Sequence, residues 1–255
     1  MNFEYEHKLV NIENNVQDTS TEAWGKICEY VEIAAKEEHT EFNPAAHLGI
    51  ELYSKLFTLP STIAKLKKVK KLFLYGSNLK RIPPEIGEMT SLEEFVPYTS
   101  YNLHWFPYEI TNCENLTKST VSTRALYGNF KHRKPFPDLR ENTVTYDSEI
   151  INCSVCKTPI KQQETNQWWI SLDAATDILP LLVNICSLDC KKALPTPPKA
   201  FLKYPHKGGK NLGQPSYQDW EDTYMKKISM KDIQQNSSQN NKLSIWKAIR
   251  KFWRK

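Results

Sequence analysis

Four of the six cysteines fall in two close pairs, Cys153-Ser154-Val155-Cys156 and Cys186-Ser187-Leu188-Asp189-Cys190. Thiolate is a preferred ligand of tetrahedral structural zinc, and either spacing lets one turn of chain aim both sulfurs at one ion. A set of four thiolates describes a closed site with no position left for a substrate. The expected cofactor is therefore zinc, and its expected role is to hold together a small module with a modest core. Two other states use the same residues: a CxxC redox dithiol, and thiols packed as small apolar side chains. The N-terminus, MNFEYEHKLV, lacks a basic stretch followed by an apolar one, which leads us to expect a reducing, cytoplasmic setting where stable disulfides are rare. Cys28 and Cys113 occupy apolar-patterned positions and are expected to be buried and inert.

Other chemistry is thinly represented. The sequence contains no GxxxxGK[ST], GxSxG, HExxH or GxGxxG motif, so no catalytic residue is assigned and the chain is not expected to be an enzyme. An enzyme with a site around His104 or His206 is the third-ranked alternative. Gly208-Gly209, between lysines in PHKGGK, fits an anion-binding turn or a flexible loop.

The formal charge of +5 is unevenly placed. Residues 242–255, KLSIWKAIRKFWRK, hold six basic side chains and no acid, leaving 28 basic against 29 acidic residues over 1–241. A nearly neutral body makes nucleic acid a less favoured partner; a regulator using the cysteine module and the basic tail is the runner-up function. Behind the polar linker QQNSSQNN, the residues Ile245, Trp246, Ile249, Phe252 and Trp253 form one helical stripe opposed by basic residues. Such a stripe suits peripheral contact with an anionic membrane, a partner's groove, or this protein's own surface. The longest strongly apolar stretch, Ile178 to Cys186, is far too short to cross a bilayer.

The elements that must position these groups show a repeat. Leu59-Pro60-Ser61-Thr62-Ile63 recurs as Ile82-Pro83-Pro84-Glu85-Ile86 and again, with one extra residue in the interval, as Phe106-Pro107-Tyr108-Glu109-Ile110. Each copy carries further apolar beats: Leu66, Met89 and Cys113; then Val69, Leu92 and Leu116; then Leu72, Phe95 and Ser119. A unit this short cannot bury its apolar edge alone, so neighbours must stack. Asn78 and Asn102, before Leu79 and Leu103, suit a buried amide ladder.

These residues resemble the leucine-rich repeat family, in the form of about 23 residues whose stem opens on an apolar-proline pair, over roughly residues 56–130. The resemblance extends to short intracellular repeat proteins of bacterial type. It implies strands around Lys71–Leu74, Glu94–Val96 and Lys118–Val121. It also implies an outward concave face carrying Lys71, Phe73 and Tyr75, then Glu94, Val96 and Tyr98, then Lys118, Thr120 and Ser122. A protein partner is expected there or on the aromatic insertion around Tyr101, His104 and Trp105, giving Phe73, Tyr75, Glu94, Tyr98, Tyr101, His104 and Trp105 as candidate contacts. The second cysteine pair, CSLDCKKAL, resembles the treble-clef group of zinc modules, where a knuckle gives two ligands and a helix start gives two more.

The ends of a short stack need covers. Thr21–Glu38 patterns as an amphipathic helix with Trp24, Ile27, Cys28, Val31 and Ala35 on one face, and Pro44–Phe57 as a second helix. Between the cysteine pairs we expect a strand over Trp168–Ile170 and an apolar helix from Asp173 to Asn184. The expected fold is thus α/β: an N-terminal helical cap (1–57), a short leucine-rich repeat solenoid (58–137), a small α+β zinc module with an extension (138–233), and a linker with a basic amphipathic helix (234–255).

Overall fold

The computed structural model of the chain describes residues 17–129, 132, 134–146 and 148–223. The linker and the stripe of Ile245, Trp246, Ile249, Phe252 and Trp253 lie outside them. The chain divides into two units, Met1–Pro215 and Ser216–Lys255. In the second, residues 217–223 are helical, and the Ser216 hydroxyl caps that turn by accepting from the Asp219 N–H.

The first unit opens with α1, Glu22–Lys36, whose first turn is capped by the Thr21 hydroxyl accepting from the Trp24 N–H. Ala23, Ile27, Tyr30, Val31 and Ala34 are its buried residues, while Trp24, Cys28 and Ala35 only flank the core. The buried stripe is thus rotated slightly from the expected one, and Cys28 is half-buried rather than enclosed. After β1, Glu41–Phe42, the expected single helix is two pieces, α2 (Pro44–Leu48) and α3 (Ile50–Tyr53). Gly49, at φ 79°, breaks them apart in a conformation that side-chain-bearing residues resist. Tyr30 stacks on Phe42 and His47, with ring centroids 4.4 and 3.8 Å away.

Strands β2 (Lys71–Phe73), β3 (Glu94–Val96), β4 (Phe106–Pro107) and β5 (Lys118–Ser119) follow. One sheet is ordered β1-β2-β3-β5, all parallel, with Glu41, Lys71, Glu94 and Lys118 in one register and Phe42, Leu72, Phe95 and Ser119 in the next. Three short 3-10 helices, Ser61–Lys65, Pro84–Glu88 and Tyr108–Asn112, each follow an extended proline (Pro60, Pro83, Pro107). Their isoleucines, Ile63, Ile86 and Ile110, are buried, as are Leu66, Met89, Cys113, Val69 and Leu92. The sequence spacing therefore becomes a lateral spacing: matching positions of successive copies lie side by side.

The polar ladder differs from the expected one. Asn78 and Asn102 are exposed, and Asn78 donates to the Ser54 carbonyl. Serines take the interior places instead: the Ser77 hydroxyl lies 2.7 Å from that of Ser100, which donates to the Leu74 carbonyl at 2.7 Å, and Ser122 accepts from the Thr99 N–H at 2.8 Å. A hydroxyl both donates and accepts in less room than an amide needs.

The rest of the unit comprises β6 (Ile150–Asn152), β7 (Pro159–Lys161), β8 (Asn166–Ala174), β9 (Asp177–Ile185) and α4 (Leu188–Lys192). The expected helix over Asp173–Asn184 is strand β9, paired antiparallel with β8 from Asn166↔Ile185 to Ala174↔Asp177. Pro180 would cost a helix interior a hydrogen bond and a steric clash, whereas a strand tolerates it where no neighbour needs its N–H. Here β4 pairs only with Leu181 and Leu182. A strand flanked on both sides and buried from Leu179 onward reads as a continuous apolar run, which periodicity alone cannot tell from a helix.

The β8–β9 turn lies across the end of the parallel sheet. Thr176 Oγ1 donates to the Ser119 carbonyl at 2.9 Å, and the Ser119 hydroxyl donates to Asp177 Oδ2 at 2.7 Å. The polar residue at an apolar beat is thereby explained: it meets a polar turn. Behind the hairpin a second core gathers Trp105, Tyr127, Phe136, Leu139, Val144, Trp169 and Leu182. Gly208 and Gly209, both buried with positive φ, belong to this packing: their N–H groups go to His206 Nδ1 and the Phe136 carbonyl, so neither remains for an anion.

Candidate metal centre

Two separate elements deliver the thiols. The first is the turn between β6 and β7, closed by Cys153 N–H donating to the Thr158 carbonyl (2.8 Å) and Lys157 N–H donating to the Cys153 carbonyl (3.0 Å). Lys157 takes φ 63°, a left-handed conformation that folds the chain back behind Cys156. The second is the step from β9 into α4. Cys186 directly follows the strand, and the Ser187 hydroxyl accepts from the Cys190 N–H at 3.2 Å, which starts the helix and places Cys190 in its first turn.

A polar tie holds these elements together. Ser154 N–H donates to the Asn184 carbonyl at 2.7 Å, and Asn184 N–H donates back to the Ser154 hydroxyl at 3.0 Å. The Asn184 amide also donates to the hydroxyl of half-buried Tyr146 at 2.9 Å and accepts from Gln167 at 3.0 Å. Neither Ser154 nor Asn184 stands out in the sequence, where each is only a polar residue beside a cysteine pair.

The four sulfurs of Cys153, Cys156, Cys186 and Cys190 all lie within 4.8 Å of one another. Cys156 and Cys186 are 3.5 Å apart, and Cys186 and Cys190 3.6 Å. Disulfide sulfurs sit at about 2.05 Å, so these are free thiols. Four ligands at about 2.3 Å from a tetrahedral centre stand about 3.8 Å from one another. The observed cluster brackets that separation, so the four cysteines could hold one metal ion. Cys153 is buried and Cys190 half-buried, while Cys156 and Cys186 are exposed, leaving the cluster open to solvent on one side.

As free thiols they are unequal. The Thr158 hydroxyl, 3.2 Å from its sulfur, and then the Thr158 N–H hold the Cys156 thiol down to about 6. Cys186, hydrogen-bonded to that sulfur, is pushed up to about 12. A cation at the centre removes this competition, because it stabilises all four thiolates together.

A buried carboxyl sits where the repeats meet the first cysteine turn. Glu109 is buried in the third 3-10 helix, and burial raises its carboxyl above the usual range. Burial raises neighbouring Glu85 as well.

The other candidate contacts separate into two groups. Tyr75, Tyr98 and Tyr101 are 58%, 46% and 63% exposed, and the Tyr75 and Tyr98 rings stand 6.0 Å apart. Phe73 on β2 and Glu94 on β3 are half-buried, Glu94 in register between Lys71 and Lys118. Trp105, by contrast, is 5% exposed and cannot be a free contact: its ring packs edge-on against Trp169 with centroids 5.8 Å apart. His104 is half-buried, its Nδ1 2.7 Å from the Ala125 carbonyl and its Nε2 2.9 Å from Lys134 Nζ. The aromatic insertion therefore turns inward at Trp105 and stays outside at Tyr101. Buried His206, held well below its usual range at about 4 by desolvation, packs edge-on against Phe136.

Among the described residues, no helix is long and apolar enough to cross a membrane. Compared with known proteins, the sequence matches no family model and no curated protein.

Proposed function

We propose that this chain is a non-catalytic binding module: a short leucine-rich repeat solenoid, closed by α1–α3 at one end and by a zinc-held α+β module at the other. A protein partner docks on the sheet face lined by Phe73, Tyr75, Val96 and Tyr98, with Tyr101 at its rim. The observation that carries this reading is the pair of neighbouring, exposed tyrosines in the turns just past β2 and β3, a parallel sheet whose Leu72 and Phe95 are buried in the core. The two turns are tied by the Gly76 N–H donating to the Tyr98 carbonyl at 2.9 Å, and large rings with few rotatable bonds lose little freedom on binding, as suits hot-spot residues. The repeat assignment is supported by strands of successive copies that pair in parallel, each reached through a proline-led 3-10 turn. Zinc is supported by the ligand set, since a cluster of four thiolates suits a soft, tetrahedral ion.

A photo-crosslinking residue at Val96 should capture one polypeptide in the native cell. Tyr75→Ala with Tyr98→Ala should cut that yield about tenfold or more while leaving thermal unfolding in place. An undiminished yield would sink the assignment of this face. Elemental analysis of the purified chain should find about one zinc; metal-free protein with β6–β7 and α4 still ordered would reject the metal.

A further inference from the structure

Residues 188–215 carry six lysines and a single acidic residue, Asp189. Two of these lysines do something unusual for like charges. Lys191 Nζ lies 3.3 Å from the centroid of the Trp168 ring and Lys207 Nζ lies 4.3 Å from the same centroid, so the two ammonium groups stand within about 8 Å of each other. That is no farther than the distance over which physiological salt screens charge, and both side chains are half-buried, where screening is weaker.

Neither lysine forms an ion pair among the described residues. Lys192 takes Asp189, at 3.1 Å. Asp138, the carboxylate whose field reaches Lys207, is held by the Arg140 guanidinium through two bonds of 2.8 and 2.7 Å. Lys207 donates to the Asn166 side chain and to the Gln167 carbonyl, leaving one of its three N–H groups over. Burial, then Lys191, then Arg140 act against its charge. The Trp168 indole N–H beneath is itself buried without an acceptor among the described residues.

The indole's negative face explains why one cation would settle there. The opposite face can take a second, but a quadrupole carries no net charge, so the charges of both lysines stay uncancelled, with Arg140 near Lys207 and Asp138 already held by Arg140. We propose that Lys191 and Lys207, gathered on Trp168, form a binding site for a phosphate group. A tetrahedral oxyanion accepts from both ammonium groups at once and cancels the repulsion between them. The site stands apart from the tyrosine face and does not depend on it. The phosphate is either free or borne on a single nucleic-acid strand, for which the lysines of this stretch would supply further backbone contacts.

The test is residue-resolved lysine footprinting of the full chain, read by mass spectrometry, with inorganic phosphate in one arm and a short thymidine oligonucleotide in the other. Either ligand should slow modification of Lys191 and Lys207 about tenfold, with exposed Lys161 as the unchanged control. Protection by phosphate at concentrations matching the oligonucleotide marks a free ligand; protection at much lower oligonucleotide concentrations marks a strand. Lys207→Gln should remove the protection of Lys191, and Lys207→Arg should keep it, with metal content equal in both variants. Two results overturn the site: Lys191 and Lys207 modified at unchanged rates under both ligands, or full protection of Lys191 in Lys207→Gln.

Discussion

The parallel sheet and the cysteine module bury similar kinds of side chain but are held in different ways. In the sheet, each strand meets its counterpart from the adjacent copy, and the interior from Ile63 to Phe95 is almost wholly aliphatic and aromatic. Removing any one contact leaves its neighbours to carry the unit. In the module, the two thiol-bearing elements meet through Ser154 and Asn184, through buried amides, and through four sulfurs that repel one another once ionised. Its apolar side chains join the same core as those of the sheet, but the meeting of its thiol-bearing elements depends on a few polar atoms. The first region is held by many apolar contacts between parallel strands and the second by a few polar atoms and sulfurs, so damage should spread differently in each.

The largest effect should come from Cys153→Ser combined with Cys186→Ser. With half the thiols gone, an ion held by the cluster should leave, and hydrogen exchange should show protection lost over β6, β7 and α4 while β2 and β3 keep theirs. Equal loss in both regions would break the distinction. Next, Phe95→Ala and Trp169→Ala should each cost about 3–5 kcal/mol in denaturant titrations. The Trp169 change should fall at the upper end, because it also removes the bond from its indole N–H to the Pro137 carbonyl at 3.0 Å.

His206 supplies a pH test. Its folded-state value of about 4 lies below the ordinary 6.5, so the unfolded chain binds the proton more readily. The stability it supports is present above pH 6.5 and is lost as pH falls toward 4, by roughly 3 kcal/mol in all. His206→Gln should flatten that acid slope in urea unfolding followed from pH 7 to 4; an unchanged slope would mean that another group sets it. Ser100→Ala should cost about 1–3 kcal/mol, since it leaves the Ser77 hydroxyl and N–H without their partner. Tyr75→Ala and Tyr98→Ala should be smallest, each within about 0.5 kcal/mol, because exposed rings add little to folding.

Much of the parallel sheet was legible because stacking turns a chemical period into a position. Leu72 and Phe95 announce themselves by spacing, and the expected β3 span matches the observed one to the residue. The serine ladder was not legible, since Ser77 and Asn78 are equally polar neighbours and only the direction of the turn decides which enters the core. Strand β9 patterns as a helix because a strand covered on both faces loses its alternation. Trp105 is misplaced by the sequence for a related reason: its partner Trp169 comes from β8, far along the chain and beyond any local pattern. The four sulfurs could be paired by ligand chemistry, but the Ser154–Asn184 tie needed the coordinates.

The hairpin turn resting on Ser119 also has a consequence for synthesis. Strand β5 can join its sheet as soon as residue 119 has left the ribosome, yet Thr176 and Asp177 emerge only later, about 3–12 s at ordinary elongation rates. Throughout that interval the nascent chain carries an unpaired strand rim at its growing end. A chaperone that shields such rims, or a slow codon translated within that interval, would change how long this rim stands uncovered.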